Sequence, residues 1–529
     1  MDLARTPRSR RSRAATFASL ATGLALLIAP GGAFAADPGY NTTQPDYVAL
    51  QPGVTGDVIP LVNSGEEIFG DIFEGIPDGI GAVPGPGNQG WVDLYVAHEQ
   101  SHVPFQNFAD YQDSSVSRVR VDVASQSVTD LEVVLSPELG FIRFCSAFMA
   151  GPDEGFAKYT FFLNEESNDL LEVPAGAPYG SDPSVAPLRQ AGYAVAYDVA
   201  TGKVHTLASA GRHNHENMVV VPGWSKGIVA LSGDDTFTFP STAARPNLSQ
   251  LYLSRAHNAN HFIKDDSTLW AFRVTATHSG PVDPTDPFND ANDYLEIGVG
   301  QTWKGEFIPV PEDVARGDTA DKPQDALEDW SNANNVFQFV RVEDIAYDPD
   351  APRTVYFADT GNSRLLEDAG TGRLFRAPSG TPGTSTSNGR VFKIVMNAQD
   401  PTKVDAFSIV VDGAAIGMRS PDNLDVGHHS LMVQEDAGNA KIWRMDLGSG
   451  AWTHVATATQ PTAETSGIAD VSEWFGDGWW AVTVQSHVNQ SQTTGRPFAW
   501  DGPPGPEIGH PYDKRREDGQ LLLLHVAGS

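Results

Sequence analysis

A single cysteine is the most distinctive chemical group in this sequence. Cys145 is the only cysteine among 529 residues. Three roles suit such a thiol: an inert buried side chain, a catalytic nucleophile or a metal ligand. A nucleophilic cysteine needs a neighbouring base, and the segment 141–150 contains no histidine. The local sequence therefore disfavours the nucleophile and leaves the buried thiol and the metal ligand open.

Acidic residues form groups where apolar, strand-like segments end. Any one group is better explained as solvated turn residues, but carboxylates that converge repel one another unless cations lie among them. Oxygen ligands suit Ca²⁺, and a thiolate with carboxylates suits a transition metal such as iron. The repetition of these groups predicts a shared metal site. In chain order they are His98-Glu99, Glu165-Glu166, His215-Glu216, Asp234-Asp235, Arg341-x-Glu343-Asp344, Asp422, Glu435-Asp436, and Glu464 with His487.

The segment His98-Glu99-Gln100-Ser101-His102 also fits the H-E-x-x-H pattern of zinc proteases. That chemistry requires a helix that places the two histidines one turn apart. The preceding residues, WVDLYVAHE, alternate in polarity, and Pro104 follows closely. We therefore predict a strand that enters a loop, which disfavours the protease.

Short hairpins are the elements that must position these groups. The segment 193–207, YAVAYDVATGKVHTL, alternates around a Thr-Gly turn, and the segments 117–131, 269–280, 391–407 and 442–455 are similar. Their repetition predicts an all-β fold, a β-propeller with inserted loops, in which strand ends meet around a central channel. The last strand, QLLLLHVAG, is predicted to close the ring by pairing with the first blade. A β-sandwich assembly is the alternative.

Two stretches are predicted to be surface excursions. Residues 276–335 are acidic and proline-rich, and residues 377–390 are rich in Gly, Ser and Thr.

The N-terminus has the pattern of a cleavable export signal over residues 1–35. Five arginines lie between residues 5 and 13, an apolar stretch covers 14–29, and Ala33-Phe34-Ala35 forms a cleavage site. Ser9-Arg10-Arg11 with Phe17 resembles a twin-arginine signal, and a general secretory signal is the alternative. We expect a secreted or periplasmic protein with one domain over residues 36–529.

The net charge of −32 disfavours nucleic acid and anionic membranes as partners. No later segment approaches the roughly 20 apolar residues of a membrane span, and no cysteine lies near the cleavage site to carry a lipid anchor. We expect a monomer that acts on small molecules.

An ordered series of segments over residues 60–490 resembles the PhoX-type alkaline phosphatases. The chain is similar to a divergent branch of that family, because it has Asn164 where those enzymes have a cysteine and R-V-E-D where they have R-P-E-G. The segments are GIPDGIGA (75–82), YVAHE (95–99), FCSAF (144–148), FFLNEES (161–167), GRHNHENMVVVPG (211–223), SGDD (232–235), SQLYLS (249–254), FVRVEDIAYDP (339–349), SPDNL (420–424), VQEDAG (433–438) and VQSH (484–487).

This resemblance implies an exported propeller that hydrolyses phosphate monoesters through a cofactor of iron and calcium. Carried over by motif, it implies Cys145, Glu216 and Glu343 as metal ligands and Arg341 as a catalytic residue. It implies further ligands, chiefly for calcium, among Glu99, Glu165, Glu166, Asp422, Glu435 and Asp436. The alternatives are a calcium-dependent propeller of the phytase or lactonase type and a non-catalytic, calcium-binding secreted propeller.

Overall fold

Antiparallel strands form most of the regular secondary structure of the described residues, in sheets whose first strands surround a common axis. The structure is a computed structural model. It describes residues 39–489 and 517–529 apart from gaps at 88, 100–113, 174–176, 183–184, 187, 237–241, 287, 289–290 and 319–321. The predicted export signal lies outside these residues.

Blades 1 and 2 follow four N-terminal strands. Those four are β1 (Val48–Leu50), β2 (Gly56–Asn63), β3 (Glu67–Ile68) and β4 (Asp71–Ile72). Blade 1 pairs, in order, β5 (Pro77–Pro84), β6 (Trp91–His98), β7 (Ser115–Asp122) and β8 (Ser127–Leu135). Blade 2 pairs β9 (Phe148–Ala150) and β10 (Thr160–Asn164), then, beyond a hairpin of β11 (Leu170–Glu172) and β12 (Leu188–Gln190), β13 (Ala194–Asp198) and β14 (Lys203–Leu207).

Blades 3 and 4 are joined into one continuous sheet. Blade 3 contains β15 (His215–Val220), β16 (Ile228–Asp234), β17 (Leu251–Ala256) and β18 (Thr268–Thr277), extended by β19 (Gly280–Pro281) and β20 (Trp303–Pro309). Blade 4 contains β21 (Val342–Tyr347) and β22 (Thr354–Asp359), a side sheet of β23 (Arg364–Glu367), β24 (Leu374–Arg376) and β25 (Thr384–Ser385), then β26 (Arg390–Met396) and β27 (Lys403–Asp412). Strand β20 pairs with both β18 and β27 and so connects the two blades.

The N-terminal strands complete the last two blades. Blade 5 contains β28 (Pro421–Val426), β29 (Ser430–Glu435), β30 (Lys441–Asp446) and β31 (Trp452–Ala458), with β1 as its outer strand. Blade 6 contains β32 (Glu464–Asp470), β33 (Trp479–Asn489) and β34 (Glu517–Val526), with β2 as its outer strand. The final strand β34 pairs with the N-terminal strand β2 inside blade 6. The prediction that it pairs with the first blade is therefore wrong, because the N-terminal segment supplies the outer strand of the last blade before blade 1 begins.

The first strands of the blades form a closed inner ring. Over the described residues there are six, and each contacts the next in the order β5, β9, β15, β21, β28, β32, with β32 in contact with β5 again. This arrangement confirms the predicted all-β propeller with inserted loops. Each predicted hairpin is also present as a pair of antiparallel strands.

The hydrophobic core lies between neighbouring blades, and this explains why some strands do not alternate in polarity. Along β34, Leu522 and Leu524 pack into one hydrophobic cluster, whereas Leu521 and Leu523 pack into another on the opposite face. Both faces of this sheet are therefore apolar, as expected for a strand covered on two sides.

Helices are few and short. They are α1 (Ala259–Ile263), α2 (Glu312–Arg316), α3 (Pro323–Ala333), α4 (Gly413–Ile416) and α5 (Ser472–Phe475). Among the described residues, no helix has the length and apolar character needed to span a membrane.

The prediction that residues 276–335 form only a surface excursion is wrong. Strand β20 lies inside the joined sheet, and Trp303 is 1 % exposed. Helix α3 buries Gln324 and Glu328 completely. Proline and acidic residues are frequent in this segment because most of its loops face solvent. The overall composition therefore does not reveal the one strand and one helix that pack inward.

Candidate metal centre

Irregular starts of the inner strands place acidic side chains together. The pairing register shifts between Pro77 and Ile80 in β5, and equivalent shifts occur near the first residues of β15, β21, β28 and β32. A β-bulge adds a residue to one strand and re-aims its side chains. Four of these shifts contain an acidic residue, namely Asp78, Glu216, Glu343 and Asp422.

Three overlapping groups of potential ligand atoms result. Within each group, one ligand atom from each residue lies within 4.8 Å of the others. Cys145 belongs to two groups and Glu216 to two, so the groups form one connected cluster. The groups are Asp78, Glu99 and Cys145; Cys145, Glu166 and Glu216; and Glu216, Glu343 and Asp422.

Cys145 lies in the connection between β8 and β9, which runs beside the end of β10. Phe144 forms an isolated antiparallel bridge with Glu165, and the Glu166 N–H donates to the Arg143 carbonyl at 3.0 Å. The Cys145 Sγ atom lies 3.5 Å from Oδ2 of Asp78. These contacts hold the thiol among the carboxylates of three blades.

The electrostatic environment of the cluster is unfavourable to its own charges. Burial raises the pKa of the Cys145 thiol well above its usual value, and the neighbouring carboxylates, Asp78 first, raise it further. Burial likewise raises the pKa of Glu216 to about 7. The pKa values of Asp78, Glu166, Glu343 and Asp422 are raised well above the usual range, in each case mainly by burial. A bound cation would reverse this balance and favour the ionised forms.

Neutral side chains donate hydrogen bonds to some of the carboxylate oxygens in the cluster. The Gln485 amide donates to Oδ2 of Asp78 at 2.7 Å and to Oε1 of Glu99 at 3.1 Å. The Ser146 hydroxyl donates to Oε1 of Glu216 at 2.6 Å and accepts from Asn423 at 2.8 Å. These contacts orient the carboxylates without neutralising them.

Other carboxylate oxygens lack hydrogen bonds among the described residues. The buried Oδ1 atom of Asp422 has no hydrogen-bond partner there. Oε1 of Glu343 also has no hydrogen bond there, although Nη2 of Arg341 lies 3.3 Å away. Buried oxygens of this kind are costly unless a donor or cation meets them. Because the donor set combines one thiol with several carboxyl groups, these residues fit a transition metal next to hard cations such as Ca²⁺.

Arg341 lies at the edge of this cluster with a fixed orientation. Its Nε and Nη2 atoms donate to the two carboxylate oxygens of Asp235 at 2.7 and 2.6 Å. Its Nη1 atom lies 4.0 Å from Asp436, and its side chain is 14 % exposed. Asp235 therefore fixes the plane of the guanidinium group.

Three of the acidic residues that the family resemblance implies as metal ligands do not belong to the three ligand groups. Glu165 is buried and accepts two hydrogen bonds from the Arg189 guanidinium. Glu435 accepts from Nε1 of Trp443 at 2.8 Å and from the Arg419 N–H at 3.0 Å. Asp436 has a side chain that is 35 % exposed.

Two sequence patterns that occur in other enzyme classes do not lie in the secondary structure that those enzymes require. His98 ends β6, and its Nε2 atom contacts the Ser117 hydroxyl at 2.9 Å, whereas Gln100–His102 lie outside the described residues. Residues 223–227, GWSKG, match G-x-S-x-G, the pattern of serine hydrolases. They join the antiparallel strands β15 and β16 instead of a strand and a helix, and Ser225 is exposed.

The structure adds residues that the motifs did not single out, above all Asp78 and Gln485. Asp78 is followed by Gly79, at which a Cβ atom would lie 2.2 Å from the Ala147 N atom. The glycine thus permits the close approach of β5 to the Cys145 connection. In sequence, Pro77-Asp78-Gly79 has the composition of an ordinary turn, so only its position before an inner strand could have revealed it.

The fold and this cluster define a β-propeller with a candidate metal centre in its central channel. The family model of alkaline phosphatase PhoX matches residues 184–472, more than half of the chain. The chain belongs to the alkaline phosphatase PhoX family.

A solved PhoX structure agrees with the fold. PhoX of Pseudomonas fluorescens, solved in complex with vanadate, a transition state analogue, matches with a TM-score of 0.58 and 16 % identity over 93 % of this chain and 97 % of that chain. The Cps50 (Swd1) β-propeller domain of Myceliophteria thermophila matches with a TM-score of 0.35 and 8 % identity over 86 % of this chain and 98 % of that chain. No curated protein matches the chain.

Proposed function

We propose that this protein is an exported hydrolase that releases phosphate from phosphate monoesters at a centre of iron and calcium. The observation that carries the proposal is the connected cluster of one thiol and six carboxyl groups in the propeller channel. Membership of the PhoX family supports the reaction class. Export rests on the signal pattern of residues 1–35, and residues 36–529 are proposed as the single mature domain.

The cluster divides by ligand chemistry. Cys145, with Glu166 and Glu216, suits iron, because the thiolate is a soft ligand and the carboxylates are hard. Glu343 and Asp422, which share a group with Glu216, suit calcium. Asp78 and Glu99 complete the cluster on the far side of Cys145 and are proposed as further ligands. When bound, such cations supply Lewis-acid neutralisation of the charge on phosphoryl oxygens.

Arg341 is proposed to bind the phosphate group of the substrate. A planar guanidinium matches two phosphate oxygens and remains charged at alkaline pH. Asp235 occupies Nε and Nη2, which fixes the side chain before substrate arrives. The guanidinium is proposed to donate to a phosphoryl oxygen, where negative charge increases during attack.

The test combines metal analysis with an assay. The full chain is expressed in an exporting host, and iron, calcium and zinc are measured together with phosphate release from an aryl phosphate monoester and the matching diester. We expect iron and calcium together, with release from the monoester. Calcium without iron would instead support a phytase- or lactonase-type propeller if the chain is active, and a calcium-binding propeller without catalysis if it is not.

A matched pair of variants links the activity to the cluster. Glu343→Gln removes one candidate ligand charge without changing the shape of the side chain, so we expect lost calcium and lost activity. Glu367→Gln, on an exposed position of the same blade, is the control and should leave both unchanged. Full activity of the Glu343 variant with normal metal content would contradict the proposed site.

A further inference from the structure

Asp344 is the next residue after Glu343, one of the candidate ligands. It follows Glu343 within the register shift of β21, and Asn217 follows Glu216 within the corresponding shift of β15. Asp344 is 6 % and Asn217 2 % exposed. Each of the two bulges therefore contains a member of the cluster, Glu216 or Glu343, followed by a second buried polar residue, Asn217 or Asp344.

The Asp344 carboxylate connects three inner strands. Its Oδ1 atom accepts from the Asn217 amide on β15 and from the Ile345 N–H at 2.7 Å. Its Oδ2 atom accepts from the Leu424 N–H on β28 at 3.0 Å. One side chain on β21 thus joins β15 and β28.

These three strands are the ones that carry the group Glu216, Glu343 and Asp422. The three residues lie in different blades and are far apart in sequence, so the chain itself does not hold them close together. Their carboxylates, when ionised, also repel one another. Calcium requires its oxygen ligands at about 2.3–2.6 Å, so a small separation of the strands would remove a ligand from reach.

We propose that Asp344 is a positioning residue of the metal centre, which holds β15 and β28 against β21 and so sets the spacing of Glu216, Glu343 and Asp422. The inference rests on the proposed function, because it requires that these three residues bind a cation. Partners that orient ligands typically change metal affinity by about 10- to 100-fold when they are replaced.

Asp425 provides a closely matched control. Like Asp344, it lines a cavity of about 210 Å³ that the six inner strands enclose. It too accepts the N–H of the next residue, Val426, at 2.7 Å and an N–H of the next blade, that of Asp470, at 2.7 Å. Asp425 therefore braces two inner strands in the same way, but it does not join the strands of the ligand group to one another.

The experiment measures calcium binding to the purified, chelator-treated full chain by equilibrium dialysis, with unfolding temperature in chelator as the fold check. Asp344→Asn presents one acceptor oxygen in place of two, so at least one backbone or side-chain donor loses its acceptor. We expect the calcium concentration at half-saturation to rise about tenfold or more. Asp425→Asn should leave that concentration unchanged.

A second pair of variants tests the contact itself. Asn217→Asp places two carboxyl groups against each other and should also weaken calcium binding. Adding Asp344→Asn to it removes the repulsion and restores one donor and one acceptor, so the double variant should bind calcium more tightly than Asn217→Asp alone. This recovery is not expected of a general loss of packing.

The outcomes separate the two proposals. If the wild-type chain binds no calcium, both the proposed function and the positioning role are wrong. If wild type binds calcium and Asp344→Asn binds it equally well, or if Asp425→Asn weakens binding as much, only the positioning role is wrong.

Discussion

The state of the Cys145 thiol depends on what else occupies the cluster. Burial and nearby carboxyl groups favour its protonated form, whereas a bound metal favours the thiolate. We therefore expect Cys145→Ala to lower iron content and phosphatase activity while the β-rich circular dichroism spectrum is retained. The measurement is iron per chain beside the unfolding temperature in chelator. A sharp fall in that temperature with unchanged iron content would identify Cys145 as a core residue instead.

A substitution at Arg341 tests its proposed role in phosphate binding without changing any candidate metal ligand. Lysine carries its three N–H donors on one nitrogen, so it cannot reproduce the paired contacts that two separate arginine nitrogens make with Asp235, nor the planar fork that matches a phosphate. We expect Arg341→Lys to keep its metals and lose about 100-fold or more in turnover of an aryl phosphate, as for removal of a transition-state donor. Arg390→Lys, which alters a pair with Asp412 in the same blade, is the control. Equal turnover in both variants would show that Arg341 acts only as a structural partner of Asp235.

Residue types and motifs predicted most members of the candidate cluster but not all of them. Glu165 and Glu166 are adjacent in sequence, yet only Glu166 belongs to a ligand group. The difference arises from Arg189, which lies 24 residues from Glu165 in sequence and forms a buried pair with it. Such a pairing is invisible until the fold brings the two segments together. Asp78 was missed for the opposite reason, because its Pro-Asp-Gly context is common in turns.

At the scale of elements, the register shifts at the starts of the inner strands bring the acidic side chains of the candidate metal centre together. In β32 the shift contains Gly467, at which a Cβ atom would lie 2.1 Å from the Asp78 carbonyl oxygen. We expect Gly467→Ala to push β5 away from β32, to cost about 1–3 kcal/mol of unfolding free energy, and to lower metal content. Denaturant unfolding and metal analysis measure these effects.

Gly180→Ala is the matched control for this change, because a Cβ atom at Gly180 would meet no atom within 4 Å. If Gly467→Ala retains both its stability and its metals, the close packing of β32 against β5 does not position Asp78.

Hairpins were predictable and insertions were not. Alternating polarity around a tight turn defines a hairpin within about 15 residues, so the hairpin β13–β14 follows from its sequence. Strand β20 pairs with β27, whose first residue lies 94 positions after the last residue of β20. Its apolar residues are surrounded by proline-rich loops, and its place in the sheet depends on two blades that form independently of it.

At the scale of the whole molecule, closure of the propeller ring is opposed by repulsion between the acidic groups at its centre. The inner strands of the blades bring many acids of a chain with a net charge of −32 toward one axis. Hydrophobic contacts between blades and the pairing of β34 with β2 hold the ring closed against this repulsion. Protons or cations must reduce the charge at the centre, and this competition makes stability depend on both.

The sign of the pH dependence follows from the raised pKa values. Burial raises the pKa of Asp293 and of Asp359 to about 7, and that of Glu216 in the metal-free centre to about 7. An unfolded carboxyl group has a pKa of about 4, so between about pH 4 and pH 7 the folded chain holds protons that the unfolded chain has released. Rising pH through this window therefore removes stability.

We accordingly expect the unfolding temperature of the metal-free protein to be higher at pH 5 than at pH 8. Calcium competes with protons for the same carboxylates and binds only the folded chain, so its stabilising effect should be larger at pH 8 than at pH 5.

Asp293 lies outside the ligand groups, so Asp293→Asn should reduce the pH dependence while leaving the calcium effect unchanged. Thermal unfolding at both pH values, with chelator or calcium at constant ionic strength, measures all of these shifts. An equal calcium effect at pH 5 and pH 8 would show that the ion binds away from the buried acids, because an exposed site has no protons to displace in this range.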